Sequence, residues 1–282
     1  MKTHSLKNGQ IELTVMELGA TVNSLKFKGQ ETVLRHDTEE EYIAASSFFG
    51  ACIGRYGNRI GNARFTLDGK EYLLAANEGK NQLHGGPGSY DRRYWTVEYA
   101  DEETLRLSIL SPDGDNGFPG TLKMTVIYTL LEDGIRVVFL GGTDKPTVFA
   151  PTIHPYFTYR ESAAIRINAD SHLAVDEGLI PTGELLPCEG KFDFHELRKL
   201  DLSYDDAFVL NGSEALEFVS DNYTMKMITD FPAAQMYTGK AGGVALEPEA
   251  FPDSPNHPNF PSTVLRPGEV FEKFVEYRFS ER

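Results

Sequence analysis

Three side chains are placed where they could exchange protons. Glu247 closes the apolar run Val244-Ala245-Leu246, which reads as the end of a buried strand. After it come Pro248, Pro252, Pro255, Pro258 and Pro261. Proline excludes a helix and a central strand, so the stretch to Pro261 reads as an extended, stiff loop. Partial burial at the mouth of that strand would raise the glutamate toward the range useful for a general base. The same position also suits a half-exposed glutamate in a surface loop. His84 precedes two glycines in Leu83-His84-Gly85-Gly86, and His154 stands between Ile153 and Pro155. Pro155 biases His154 toward extended backbone, and the aromatics that follow, Tyr156 and Phe157, point to partial burial. Burial lowers an imidazole's pKa and a nearby carboxylate raises it. Each histidine also suits a plainer role, solvated in a loop or satisfied in the core. No third His or Cys lies at ligand spacing to either, which sets a metal centre aside.

Other groups suit a polar ligand. Gly54-Arg55-Tyr56-Gly57-Asn58-Arg59-Ile60 combines glycines, which let the backbone approach a ligand, with an Asn-Arg pair rich in hydrogen-bond donors. Equally, it reads as a turn whose arginines pair with surface carboxylates. Ser203-Tyr204-Asp205-Asp206-Ala207-Phe208 carries adjacent carboxylates. Neighbouring strand residues face opposite sides, so only one of them can enter a cleft. Gln235 lies in Ala234-Gln235-Met236-Tyr237, as a ligand contact or as an outward glutamine of an ordinary strand.

The pattern Leu246-Glu247, Pro252-Asp253, Asn256, Asn259-Phe260-Pro261 and Leu265-Arg266-Pro267-Gly268 resembles the aldose 1-epimerase (galactose mutarotase) family. Gly54–Ile60, Asn81-Gln82-Leu83-His84-Gly85-Gly86 and Thr152-Ile153-His154-Pro155-Tyr156-Phe157 precede it in the family's order. Four blocks in order, from the first quarter of the chain to its end, make the resemblance specific. It implies Glu247 as the base, His154 as the acid and His84 as a helper that hydrogen-bonds the sugar. It implies sugar contacts from Asn58, Arg59, Asp205 and Gln235, and leaves Arg55 as a structural partner. It implies no cofactor and no metal. Two departures stand out. Asp206 occupies a position where the family often has His, which bears on which aspartate faces inward. Glu249 occupies a position where the family commonly has Gln. It adds a negative charge two residues from Glu247, and raises the pKa of Glu247 if the side chains converge. The chain is also somewhat shorter than better-known galactose-active members, so loops that set substrate preference are expected to be trimmed.

The elements that must hold these residues are strands. Ile11–Met16 and Thr21–Phe27 alternate with a period of two. Arg64–Leu74 is a hairpin about Asp68-Gly69, which accepts the positive φ of a tight turn. Leu122–Leu130 and Ile135–Leu140 form a second hairpin, with Trp95–Tyr99 and Thr104–Ile109 beside it. Further strands are expected at 164–167, 215–219, 223–228, 234–237 and 271–279. Glu39–Ala45, led by acidic residues that suit the helix dipole, is the best short helix. Many short strands with Gly and Asp turns predict an all-β fold, a large antiparallel β-sandwich. The resemblance sharpens this to the family's supersandwich. No linker or repeat divides the chain, so residues 1–282 are expected to form one domain.

The formal charge of −15, with no basic cluster, argues against nucleic acid and anionic membrane surfaces, and mildly against an anionic substrate. No apolar run is long enough to span a bilayer, and the first residues lack the apolar core of a signal peptide. Cys52 and Cys188 have no metal-type spacing, and nothing asks for a disulfide. A cytoplasmic protein, monomer or homodimer, acting on a small-molecule sugar is the expectation.

The resemblance implies interconversion of the α and β anomers of a free aldohexose such as galactose or glucose. A base takes the C1 hydroxyl proton while an acid protonates the ring oxygen. The C1–C2 bond then rotates, and the ring closes on the other face. Two titratable groups of different type, on opposite sides of the ring, meet that need. The alternatives are a hexose-6-phosphate 1-epimerase, which needs cationic groups at the phosphate end, and a non-catalytic carbohydrate-binding or sensor domain. A binder needs neither Glu247 nor His154. A polysaccharide-processing enzyme sharing only the sandwich is a third, set aside by the motif blocks.

Overall fold

The computed structural model describes residues 1–201, 203–240 and 242–282. Strands dominate, and every pairing between them among the described residues is antiparallel, with one isolated parallel bridge between Tyr56 and Ala150. A nine-stranded sheet runs Thr96–Ala100, Thr104–Ser111, Leu122–Leu131, Gly134–Thr143, Phe271–Ser280, Thr224–Thr229, Glu214–Val219, Ala164–Ile167, Arg198–Lys199. A six-stranded sheet runs Tyr156–Thr158, Gly243–Glu249, Ala233–Lys240, Asp205–Val209, Ser171–Val175, Pro181–Pro187. A four-stranded sheet, Thr3–Lys7 to Gln30–Glu31, contributes Leu13, Val15, Val22 and Leu25 to the same core as the larger sheets. The expected antiparallel β architecture is therefore present.

Alternation along the strands explains the layering. In the ten-residue strand Leu122–Leu131, the residues Leu122, Met124, Val126, Tyr128 and Leu130 are buried. They join Val137 and Phe139 of the next strand and Val275, Tyr277 and Phe279 of the last in one core. Phe157, Phe208, Met236, Val244 and Leu246 of the six-stranded sheet enter the same core. The two sheets meet where the Phe157 and Tyr277 rings lie 5.0 Å apart, and Tyr277 donates its hydroxyl to the Leu246 carbonyl at 3.3 Å. Burial of this kind contributes about 25 cal/mol per Å² of apolar surface, the dominant favourable term for such a fold. Gly134 is required at the second hairpin, because a Cβ there would lie 2.0 Å from the Tyr277 carbonyl oxygen.

The short elements form for local reasons. Asp68 and Gly69, with φ of 51° and 76°, turn the Arg64–Leu67 strand into Lys70–Leu73. The helix Glu39–Ala44 starts at a capping box, with Thr38 Oγ1 accepting from the Glu41 N–H and the Glu41 carboxylate accepting from the Thr38 N–H. No helix among the described residues is long and apolar enough to cross a membrane.

The segment after Leu246 differs from its sequence reading. The strand continues through Pro248 to Glu249. Pro248 is tolerated because its backbone polar groups face away from Gln235's strand: its carbonyl accepts the Thr152 hydroxyl at 2.7 Å. The neighbour on that side, Tyr156–Thr158, pairs only with Gly243 to Ala245, so no strand needs the missing N–H. Beyond it the chain is not extended. It folds into a turn with a short 3₁₀ stretch, Ser254–Asn256, held by Asp253, which accepts from the Gly61 N–H at 2.9 Å and from Asn256 Nδ2 at 2.6 Å.

Candidate active site

The six-stranded sheet sends alternate residues to opposite faces. Ala234, Met236 and Leu246 go to the core, so Gln235 and Glu247 go to the other side. Gln235 and Glu247 are direct cross-strand partners, and Asp205 pairs with Tyr237 one strand over. Gln235 Nε2 donates to Asp205 Oδ1 at 2.6 Å. Asp205 therefore faces the cleft. Asp206 lies on the opposite face, where His172 and Lys191 are its charged neighbours and burial raises its carboxyl.

Two loops complete the cleft from above. Arg59–Ile60 pairs with Gln82–Leu83, which brings the Asn58 and His84 blocks together. The Asn58 N–H donates to His84 Nδ1 and the His84 N–H to the Asn58 carbonyl, both at 3.0 Å. Both residues have positive φ, 59° and 50°. Such geometry persists only where the surroundings hold it. Arg59 is gripped by Glu78 at 2.8 and 3.0 Å and lies 3.6 Å from Asp205.

Asn58, Arg59, His84, His154, Asp205, Gln235 and Glu247 all line one cleft of about 240 Å³. Every residue singled out in the sequence as a site candidate is thus brought together. Arg55 is elsewhere. It is 2% exposed, and its guanidinium donates to Ser111, to the carbonyls of Pro112 and Pro119, and to Thr147. It pairs with no carboxylate there.

At the floor, His154 Nε2 lies 3.2 Å from Glu247 Oε1, and both residues are almost wholly buried. The two groups are neighbours, not separated by the width of a sugar ring as the sequence reading had it. The chemistry accounts for this, because the C1 hydroxyl and the ring oxygen are bonded to the same carbon. The Phe48 and Tyr156 rings lie near-parallel to the His154 ring and fix its plane. Burial pushes His154 down to about 3. Burial, then the charges of Glu249 and Asp205, push Glu247 well above the usual carboxylate range. A proton between them therefore rests on Glu247, and its transfer to His154 creates a carboxylate and an imidazolium in one step. Glu247 Oε2 and His154 Nδ1 are buried without a hydrogen-bond partner among the described residues.

His84, His154 and Glu247 offer donor atoms within 4.8 Å of one another, a grouping that sequence spacing did not reveal. They do not make a three-ligand metal site. His84 Nδ1 accepts the Asn58 N–H, so the neutral ring carries its proton on Nε2, which faces the cleft as a donor. Burial, then the neighbouring His154 and Arg59, keep His84 neutral by lowering it well below the usual imidazole range. The arrangement suits a polyhydroxylated ring: donors from Asn58, Arg59, His84 and Gln235, an acceptor in Asp205, and an acid–base pair beneath.

Sequence reasoning missed Glu78, Phe48 and Lys240, which also line the cleft. Glu78 sits in the polar turn Asn77-Glu78-Gly79-Lys80, and nothing in that stretch distinguishes it from a solvated loop. Phe48 is an aromatic next to Phe49-Gly50, a signal only in hindsight of the His154 ring. Lys240 ends its strand at the rim of the cleft.

A family model described as aldose 1-epimerase matches residues 2–278. The chain is 33% identical to a galactose mutarotase from Bos taurus, over 98% of this chain and 93% of that one. It is 35% identical to an aldose 1-epimerase from Escherichia coli (strain K12), over 96% and 93%. Among solved structures, an aldose epimerase homologue from C. elegans superposes with a TM-score of 0.95 at 28% identity, covering 99% of this chain and 98% of that one. A galactose 1-epimerase from Lactobacillus acidophilus superposes with a TM-score of 0.90 at 26% identity, covering 99% and 94%.

Proposed function

The chain belongs to the aldose 1-epimerase family, and from that premise we propose that it interconverts the α and β anomers of a free aldohexose such as galactose or glucose. The observation that carries the reading is the contact of His154 with Glu247, at 3.2 Å, on the floor of a cleft lined by sugar-type hydrogen-bonding groups. A pure binder has no use for a buried pair of this kind.

Glu247 as carboxylate removes the C1 hydroxyl proton, and the electron pair becomes the aldehyde C=O. The bond from C1 to the ring oxygen breaks, and His154 as imidazolium gives its proton to that oxygen. After rotation about C1–C2, the roles reverse for closure. Asn58, Arg59, Asp205, Gln235 and His84 hold the hydroxyls and keep C1 over the pair. General acid–base catalysis contributes about 10²–10⁴-fold, sufficient for a reaction that already proceeds in water.

A hexose 6-phosphate is the second reading, favoured by one observation: Lys240 lines the cleft. Against it, Glu78 and Asp205 line the same cleft and Arg59 is already paired with both. We read the chain as one domain, since its main core draws on residues from Leu6 to Phe279. We place it in the cytoplasm, a reading that its two free, buried cysteines support. Polarimetry of fresh α-galactose, α-glucose and glucose 6-phosphate tests the assignment; no acceleration of either free hexose would end it.

A further inference from the structure

Glu249 is a buried carboxyl that the ring-opening scheme leaves unused. It stands two residues from Glu247 on one strand, so the pleat turns both side chains to the same face, and each is 2% exposed. Their surroundings differ. Asn58 Nδ2 lies 3.2 and 3.4 Å from the two Glu249 oxygens. The Asn58 amide cannot turn away, because its Oδ1 accepts the Arg59 N–H at 2.8 Å. Glu247 has no such donor: Oε1 meets His154 and Oε2 meets nothing. Burial raises both carboxyls, but a donor aimed at a carboxylate favours its charged form, so Glu249 gives up its proton before Glu247.

Among the described residues, no Lys or Arg forms an ion pair with Glu247 or Glu249; Lys240 lines the cleft but acts on neither carboxyl. Arg59 is, among the described residues, the positive side chain acting on both carboxyls, and it already serves Glu78 and Asp205. Asp205 adds a further negative charge. His84 and His154 are neutral, and burial keeps Tyr156 and Tyr277 protonated. Two like charges in one buried site do not ionise together, and the protons leave in separate steps that belong to the pair.

Resting on the reading of Glu247 as the base, we propose that Glu249 is a positioning residue for the base's proton: the two carboxyls hold one proton between them, the negative charge settles on Glu249 beside Asn58, and that charge keeps on Glu247 the proton that passes to His154. A glutamine at 249 would fill the same space, but it carries no charge. The carboxylate thus sets the upper pH limit of the reaction, where Glu247 loses that proton to solvent, without touching the sugar.

The test is kcat/KM for α-galactose by polarimetry from about pH 5 to 9, in the wild type and Glu249→Gln. Removing the Glu249 charge lets Glu247 ionise at lower pH. The alkaline limb should move down by about one unit, so the ratio of kcat/KM at pH 9 to that at pH 7 should fall about tenfold. A carboxyl that merely supports Asn58 predicts an unchanged ratio, and that result overturns the proposal. Wild-type protein labelled with ¹³C-glutamate gives an independent reading, needed if the variant does not fold. Two carboxyl resonances titrating in steps more than about one unit apart support the shared proton, and two ordinary, coincident titrations overturn it. A wild type inactive on free hexoses would defeat the assigned reaction, with the labelled protein still deciding the shared proton. An active wild type with an unchanged ratio would defeat the role of Glu249 alone.

Discussion

Glu247 stands directly opposite Gln235 in the ladder between their strands, and Gln235 passes its amide N–H to Asp205 on the strand beyond. Base and amide thus share one cross-strand row, and the sugar-type acceptor lies diagonal to it, opposite Tyr237, all spaced by the sheet itself. Strand spacing of about 4.8 Å is rigid on the scale that positioning requires.

Glu247→Gln keeps the size of the side chain and its place in this row, but cannot accept a proton at neutral pH. Mutarotation should fall by roughly 10²–10⁴-fold, while galactose affinity by calorimetry changes much less. Near-full activity in this variant would remove Glu247 as the base.

Arg59→Ala and Arg55→Ala should separate cleanly. The first removes a charged donor from the cleft and should weaken sugar binding by on the order of 1.5–3 kcal/mol. The second strands buried carbonyls at Ser111, Pro112 and Pro119 and should destabilise the fold by more than about 3 kcal/mol in urea titrations. A folded Arg55→Ala protein that binds sugar as weakly as Arg59→Ala would contradict the division.

Asp205→Asn should reduce sugar affinity at least several-fold, whereas Asp206→Asn should leave it within about twofold, because their side chains occupy opposite faces of the sheet. Equal losses in a calorimetric titration would count against Asp205 as the sugar contact.

His154 also has a thermodynamic signature. Its folded pKa lies below the unfolded value of about 6.5, so the unfolded chain binds the extra proton. Stability from this group is complete above pH 6.5 and is lost as pH falls from there toward 3, by up to about 1.4 kcal/mol per unit. The wild type should therefore lose stability more steeply than His154→Gln between pH 6.5 and 5 in paired urea titrations. Parallel curves would show that the histidine is not held neutral.

Free hexoses should have the higher kcat/KM when compared with hexose 6-phosphates. A preference for glucose 6-phosphate that disappears in Lys240→Ala would transfer the assignment to the phosphate-bearing substrate.

Much of this was legible in the residues. The period-two alternation of Leu122–Leu131 and the Asp68-Gly69 turn announce antiparallel strands, because both are local properties. Asp205, Gln235 and Glu247 were readable through their motif blocks, not through periodicity, which also permits outward residues. Glu78 was not readable, since its importance arises from an arginine reached only through the pairing of Arg59–Ile60 with Gln82–Leu83. Nor was the contact between His154 and Glu247, which depends on tertiary packing. Pro248 misled in a specific way: proline forbids a strand only where a partner needs its N–H, and here the neighbouring strand stops first.

That proline has a second effect. Past the end of Tyr156–Thr158, the margin of the Gly243–Glu249 strand is buried under the chain at Thr152–Pro155, where the Leu246 N–H donates to the Pro155 carbonyl at 3.4 Å. Pro248 offers no N–H there, and its carbonyl is already occupied by Thr152. The residue that separates the two glutamates therefore lets the wall that carries the base be buried on that side without an orphaned amide.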